Sequence, residues 1–319
     1  MLKDSIKELV DRSLAYDLAL LSIDVSEGRR ELSEVFDFYD KFENKVEVED
    51  VTYVTDDLDE LYEQTVHTPG LRWRLKALND SLGSLRRGDF GFIFARPETG
   101  KTTFLASEVS FFAEQAEGPI LWINNEEQGG KVKIRCFQAS LGVTLTELYM
   151  DRKKSYNKYM EKTNGKIKIF DSASINKRQV EKICKELKPS LIIFDQIDKI
   201  KGFDSDRNDL RLGAIYIWAR ELAKTYCPVI GVCQSDVSGE GKKWLNMDNV
   251  AESKTAKQAE ADWILGIGKV HDNGMEYVRY LHISKNKLSG DEDTIPELRH
   301  GKIEVLIKPD IARYSDYGI

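Results

Sequence analysis

The stretch Phe90-Gly-Phe-Ile-Phe-Ala-Arg-Pro-Glu-Thr-Gly-Lys-Thr-Thr103 constrains the fold more than any other part of the chain. An apolar run of strand length enters a tight turn, and an amphipathic segment carrying Phe104, Leu105, Val109 and Phe112 leaves it from Lys101 onward. The turn, made of Ala95, Arg96, Pro97, Glu98, Thr99, Gly100, Lys101, Thr102 and Thr103, has the phosphate-loop form A-x-x-x-x-G-K-T. Gly100 lets the backbone approach phosphate oxygens, and the N–H groups of the turn point inward at a helix N-terminus whose dipole favours negative charge. Lys101 is expected to meet the β- and γ-phosphates of a nucleotide, and Thr102 to hold Mg²⁺. The general motif begins with glycine, whereas this chain has Ala95.

A loop of this kind needs a strand before it and a helix after it, so the chain is expected to be α/β, with a mainly parallel sheet and helices on both faces. The apolar runs predict strands at Phe90 to Phe94, Ile120 to Asn124, Ile167 to Asp171, Leu191 to Asp195, Val229 to Cys233, Trp263 to Gly268, Tyr277 to Ser284 and Lys302 to Ile307. Ligands of such sheets sit at the carboxyl ends of strands. That rule selects Asn125-Glu126-Glu127 after the second run, Asp195-Gln196 at the fourth and Gln234-Ser235-Asp236 after the fifth. Asp195 fits the acid that shares Mg²⁺ with Thr102. Hydrolysis also needs a base for water near the γ-phosphate. Glu126 and Glu127 are adjacent, so their side chains diverge and one of them faces the nucleotide; Glu126 is the favoured one. Gln234, neutral and at a strand tip, can hydrogen-bond the γ-phosphate without competing for metal.

A length of 319 residues allows one α/β domain of about 250 residues and a small appendage. His67-Thr-Pro-Gly70 punctuates the pattern, so residues 1–69 are read as an arm and 70–319 as the nucleotide-binding domain. In the arm, Ile6, Leu9, Val10, Leu14, Leu18 and Leu21 predict an amphipathic helix from Ser5 to Ile23 that Gly28 ends. A second helical pattern covers Arg30 to Phe42, an alternating run Val46 to Val54, and an acidic helix Asp56 to Gln64. So small a core is expected to pack on its own domain or on a neighbouring subunit. Net charge is −7, but residues 1–70 hold 19 Asp/Glu against 7 Lys/Arg, and the rest of the chain is mildly basic with 35 against 40. The acidity therefore does not exclude nucleic acid from the remainder. Four cysteines without metal spacing, no signal peptide and no apolar run near the roughly 20 residues of a membrane span predict a soluble cytoplasmic protein with reduced thiols and no membrane partner.

Over residues 70 to 317 these motifs together resemble the DnaB-type replicative helicases, a RecA-like family that includes bacteriophage helicases and is related to the bacteriophage primase-helicases. The resemblance rests on Ala95-Arg-Pro in the phosphate loop, Arg86-Arg-Gly-Asp89 before it, and Arg135-Cys-Phe-Gln-Ala-Ser-Leu-Gly142 behind the glutamates. Asp195, Gln234, Gln258-Ala-Glu-Ala-Asp262 and Ser284-Lys-Asn-Lys-Leu-Ser-Gly290 complete it. It implies a RecA-like ATPase domain using ATP and Mg²⁺, a ring, expected to be a homo-hexamer, translocating on single-stranded DNA, and replication partners such as a polymerase, primase or loader. Glu126 would activate water, Gln234 would sense the γ-phosphate, and Lys285 with Lys287 would reach the ATP of the next subunit. The family usually carries arginine where this chain has Lys287, and lysine lacks the planar fork. No primase half and no zinc-binding cysteine cluster precede the domain; the resemblance implies that the arm clasps a neighbouring subunit.

Two loops are candidates for DNA. Lys199 to Asn208 contributes Arg207, and Ser238 to Asn246 contributes Lys242, Lys243 and Trp244, with Lys254 just beyond. Lysines would grip phosphates without reading sequence, and Trp244 would stack a base. Two other readings stand beside the helicase: a RecA-type strand-exchange ATPase, and a regulatory or loading ATPase that acts on protein partners without unwinding.

Overall fold

The computed structural model describes residues 2–36, 38, 54, 56–65, 69–203, 205–252 and 254–317. Two units partition the chain, Met1–Tyr62 and Glu63–Ile319, with the division ahead of the Pro69-Gly70 punctuation. The first unit contains α1 (Leu2–Ser26), a helical stretch over residues 32–36, and the start of α2 (Leu58–Thr65). Helix α1 runs past both expected ends and stops at Gly28, whose φ of 72° turns the chain, with Gly28 N–H donating to the Val25 carbonyl at 3.1 Å. Leu14, Leu18 and Leu21 form its covered face, whereas Tyr16, Leu20 and Ile23 are exposed. The alternating run expected from Val46 to Val54 lies outside the described residues except for Val54.

In the second unit, α3 (Lys76–Leu82) precedes β1 (Phe90–Ala95) and α4 (Lys101–Gln115). Then follow β2 (Ile120–Asn124), α5 (Gly129–Leu141), α6 (Leu145–Met150), α7 (Arg152–Thr163), β3 (Ile167–Asp171) and α8 (Lys177–Leu187). The chain continues through β4 (Leu191–Asp195), α9 (Asn208–Thr225), β5 (Val229–Gln234), α10 (Lys254–Glu260), β6 (Trp263–Gly268), β7 (Val278–Asn286), β8 (Lys302–Lys308) and β9 (Arg313–Asp316). All nine strands join one sheet in the order β3-β2-β4-β5-β1-β6-β7-β8-β9. The first six in that order are parallel, and β7, β8 and β9 add antiparallel edges. Strand β7 starts one residue later than expected and continues through Lys285 and Asn286, and β9 has no counterpart among the expected strands.

Strand β1 is buried throughout because both faces of the sheet are covered, which is why its sequence reads as a continuous apolar run. Successive side chains alternate between faces. Ile93 and Ala95 join Phe104, Val109 and Phe112 of α4, while Phe92 and Phe94 join Leu212, Ile215 and Tyr216 of α9. Gly91 is required by close approach: a Cβ there would lie 2.1 Å from the Trp263 indole on β6. No described helix is long and apolar enough to cross a membrane.

Candidate nucleotide site

The carboxyl edge of the parallel strands gathers most of the expected site. Ala95 closes β1, fully buried, and its carbonyl accepts from Ser235 N–H at 3.0 Å, which locks the loop to the end of β5. Pro97 and Glu98 are exposed, with Glu98 at φ 57°. Gly100 has φ 106° and caps α4, a conformation that only glycine adopts without strain. A Cβ there would also come within 2.6 Å of Ile307 Cδ1 and 2.9 Å of the Tyr314 hydroxyl. The loop is held from outside by groups that no local pattern announces. Arg279, buried on β7, donates from Nε to the Thr99 carbonyl at 2.7 Å and from Nη1 to the Glu276 and Val278 carbonyls at 2.8 and 2.7 Å. Tyr314 on β9 donates its hydroxyl to the Gly100 carbonyl at 3.3 Å. Arg96 turns away to donate to Glu240 at 2.8 Å and to the Ser235 carbonyl at 3.2 Å.

Inside this loop the Lys101 ammonium is buried and donates to the Ala95 and Arg96 carbonyls at 3.2 and 3.3 Å. Burial lowers its pKa, against the opposing pull of Glu126 and Asp195. Asp195, at the end of β4, is 0% exposed and neither carboxylate oxygen has a hydrogen-bond partner. The Trp122 indole N–H lies beside it but outside hydrogen-bond geometry. Burial, with the Glu126 charge adding and Lys101 opposing, raises the Asp195 pKa to about 7. A buried carboxylate with both oxygens unpaired is costly unless a cation or donor arrives.

The two glutamates diverge as adjacent residues must. Glu126 Oε2 accepts from Gln196 Nε2 at 2.7 Å, on the side of Lys101 and Asp195, whereas Glu127 pairs with Arg135 on α5. Gln196 is buried, in the left-handed region at φ 73°, and its carbonyl accepts from Asn125 Nδ2 at 3.1 Å. Gln234 ends β5 half-buried, in register with Ala95. Among the described residues no cluster of three or more His, Cys, Asp or Glu could form an all-protein metal cage. Mg²⁺ is commonly held by one or two protein oxygens together with phosphates and waters. The orphaned oxygens of Asp195, together with the Thr102 hydroxyl on the first turn of α4, fit such an ion.

Other expected residues lie elsewhere. Lys285 pairs in register with Ile264, and Asn286 with Trp263, whereas Ala95 is in register with Ile267. Lys285 and exposed Lys287 therefore stand at the amino edge of the parallel strands, opposite their own chain's phosphate loop. Lys285 Nζ donates to the carbonyls of Gln258 and Ala259, and Lys287 N–H to the Asp262 carbonyl at 2.8 Å. Of the DNA candidates, Lys242 is exposed, while Arg207 pairs with Asp209 at 2.6 Å. Lys243 sits over the Tyr280 ring at 4.8 Å and near Glu304 at 3.5 Å. The expectation that Trp244 stacks a base meets a competing contact: its ring is already packed edge-on against Tyr280, centroids 5.2 Å apart, because the 242–245 segment folds back over Gly266 and Gly268 of β6. The Lys254 side chain lies outside the described residues.

Among curated proteins none matches this sequence. Among solved structures the fold is similar to a helicase ATPase domain, at TM-score 0.68 and 15% identity over 83% of this chain and 100% of that one. It is also similar to a DnaB-like replicative helicase studied for its interactions with primase, at TM-score 0.67 and 15% identity over 98% of this chain and 77% of that one. The fold is thus that of the RecA-like ATPase domains of DnaB-like helicases. A family model described as AAA domain matches residues 58–240, which include the phosphate loop, Glu126, Asp195 and Gln234. Matched over more than half its length, the chain belongs to this family of AAA domains.

Proposed function

We propose that the chain is an ATP-driven replicative DNA helicase that assembles as a homo-hexameric ring and moves along single-stranded DNA. The observation that carries the reading is the convergence, at one strand edge, of the phosphate loop with buried Lys101, orphaned Asp195 and a Glu126 carboxylate held by Gln196. Residues 70–319 form the motor in this reading, and residues 1–69 an arm that docks on a neighbour.

Lys101 and the N–H groups of residues 96–101 bind the β- and γ-phosphates, while Thr102 and Asp195 hold Mg²⁺, which neutralises phosphate charge. Water attacks the γ-phosphorus, the bond to the bridging oxygen breaks, and ADP and phosphate leave. Glu126 accepts the proton of the attacking water, and Gln196 orients that carboxylate. Gln234 hydrogen-bonds the γ-phosphate and, being continuous with loop 235–246, responds to its loss. Lys285 and Lys287, facing away from their own site, supply positive charge to the ATP of the adjacent subunit. Lys242 in loop 238–246 grips DNA phosphates, with Arg207, Lys243 and Lys254 as further contacts.

Unwinding of a forked DNA duplex tests this directly. The wild-type chain should separate the strands only with ATP and Mg²⁺, and Lys101→Ala should neither hydrolyse ATP nor unwind. ATP hydrolysis without strand separation would favour the loading ATPase, and strand exchange the recombinase.

A further inference from the structure

Beneath the site lies a charge pair that the chemistry above does not use. Lys257 on α10 is 0% exposed, and its ammonium donates to Asp198 Oδ2 at 2.7 Å and to the Ala251 carbonyl at 2.9 Å, over the face of Tyr216 at 5.6 Å. Asp198 follows Gln196 by two residues, and its own carbonyl accepts from Arg211 Nη1 at 3.1 Å. The arrangement is incompletely satisfied: Asp198 Oδ1 and the Tyr216 hydroxyl have no hydrogen-bond partner. An apolar pair of similar volume often serves stability as well or better, so a buried pair of this kind is better understood as fixing one arrangement of two elements. The two elements here are the segment after Asp195 and helix α10. Asn208 Nδ2 donates to Glu252 Oε2 at 2.8 Å, a second tie between the same regions. At its other end α10 presents the carbonyls of Gln258 and Ala259 to the Lys285 ammonium, where the helix dipole favours a cation.

We propose that Lys257 is a positioning residue that ties α10 to the nucleotide site through Asp198, so that the state of one protomer's site sets the placement of the Lys285 it offers to its neighbour. This inference rests on the nucleotide reading above. The contacts are continuous: Glu126 to Gln196, along the backbone to Asp198, across to Lys257, and along α10 to Lys285. Changes in the Glu126–Gln196 contact on nucleotide binding move the 196–198 backbone, and the buried pair obliges α10 to follow.

The test uses the full-length chain. Wild-type turnover should rise sigmoidally with ATP concentration. The double variant Lys257→Met/Asp198→Leu removes both charges, should keep its melting temperature, and should hydrolyse ATP hyperbolically, with a Hill coefficient of about 1. A purely structural pair would restore cooperativity together with stability, so a folded double variant that remains sigmoidal overturns the proposal, as does a hyperbolic wild type. Hydrogen exchange of residues 254–260 in the wild-type chain gives a measurement that needs no substitution. Protection should change by about tenfold or more with a non-hydrolysable ATP analogue. Analogue binding without altered exchange overturns this proposal alone, and absence of analogue binding overturns the nucleotide reading with it.

Discussion

Asp195 offers a test in which stability and activity move in opposite directions. Its carboxyl is wholly buried, both oxygens are unpaired, and its pKa is raised from 3.8 to about 7. The folded state therefore binds a proton that the unfolded chain releases, so this group contributes most favourably below pH 3.8 and loses that contribution as pH rises toward 7. The full displacement corresponds to about 4 kcal/mol at pH 8 and about 1.5 kcal/mol at pH 5. Asp195→Asn removes the titration. Its amide carries its own desolvation cost, but that cost is the same at both pH values. The stability gained by the variant over wild type should thus be about 2.5 kcal/mol larger at pH 8 than at pH 5. Glu108 and Asp89, also raised by burial, titrate in both proteins and cancel in the difference. Urea unfolding of wild type and Asp195→Asn, without nucleotide or Mg²⁺, measures it. The same variant should lose Mg²⁺-dependent ATP turnover. An advantage for the variant that does not shrink on acidification would refute the reasoning, because the burial of the carboxylate would then carry no cost in charge.

Two further outcomes follow from the contacts at the strand edge. Glu126→Gln should keep nucleotide affinity and lower turnover by about 100-fold or more, whereas Glu127→Gln, which breaks only the contact with Arg135, should stay within a few-fold of wild type; single-turnover kinetics with both variants decides, and a reversed pattern would exchange their roles. Lys242→Ala should weaken single-stranded DNA binding at low salt and reduce the slope of log affinity against log salt by about 0.7, the release of one counterion; a salt titration with an unchanged slope would remove Lys242 from the DNA path.

Local sequence carries the centre of this fold because its information is local there. Strand β1, the turn and α4 are contiguous, and a strand buried on both faces advertises itself by an unbroken apolar run. The same rule fails at the edge. Arg313-Tyr-Ser-Asp316 has one apolar residue, Tyr314, and becomes β9 only because β8 supplies its partner. Arg279 and Tyr314 are illegible for a related reason: they hold the phosphate loop from 180 and 214 residues away in sequence, a relation that no motif window spans. The buried arginine in β7 is the one available signal, since a charge inside an otherwise apolar strand needs acceptors. Trp244 shows the opposite error. An aromatic residue in a basic loop suggests stacking on a base, but nothing in the loop itself indicates that β7 presents Tyr280 to it.

The grip of β7 and β9 on the phosphate loop also orders events during synthesis. Phe90 to Thr103 leave the ribosome early, yet the sheet neighbours of β1 are β5 and β6, made well over a hundred residues later, and the clamp at Gly100 waits for Tyr314. Until then the most apolar strand of the domain has no permanent neighbours on either side. A nascent chain therefore carries the complete phosphate-loop sequence for most of its translation without the mould that shapes it. Nucleotide binding is consequently a property of the finished domain, and the loop is protected from premature use by the order in which its walls are built.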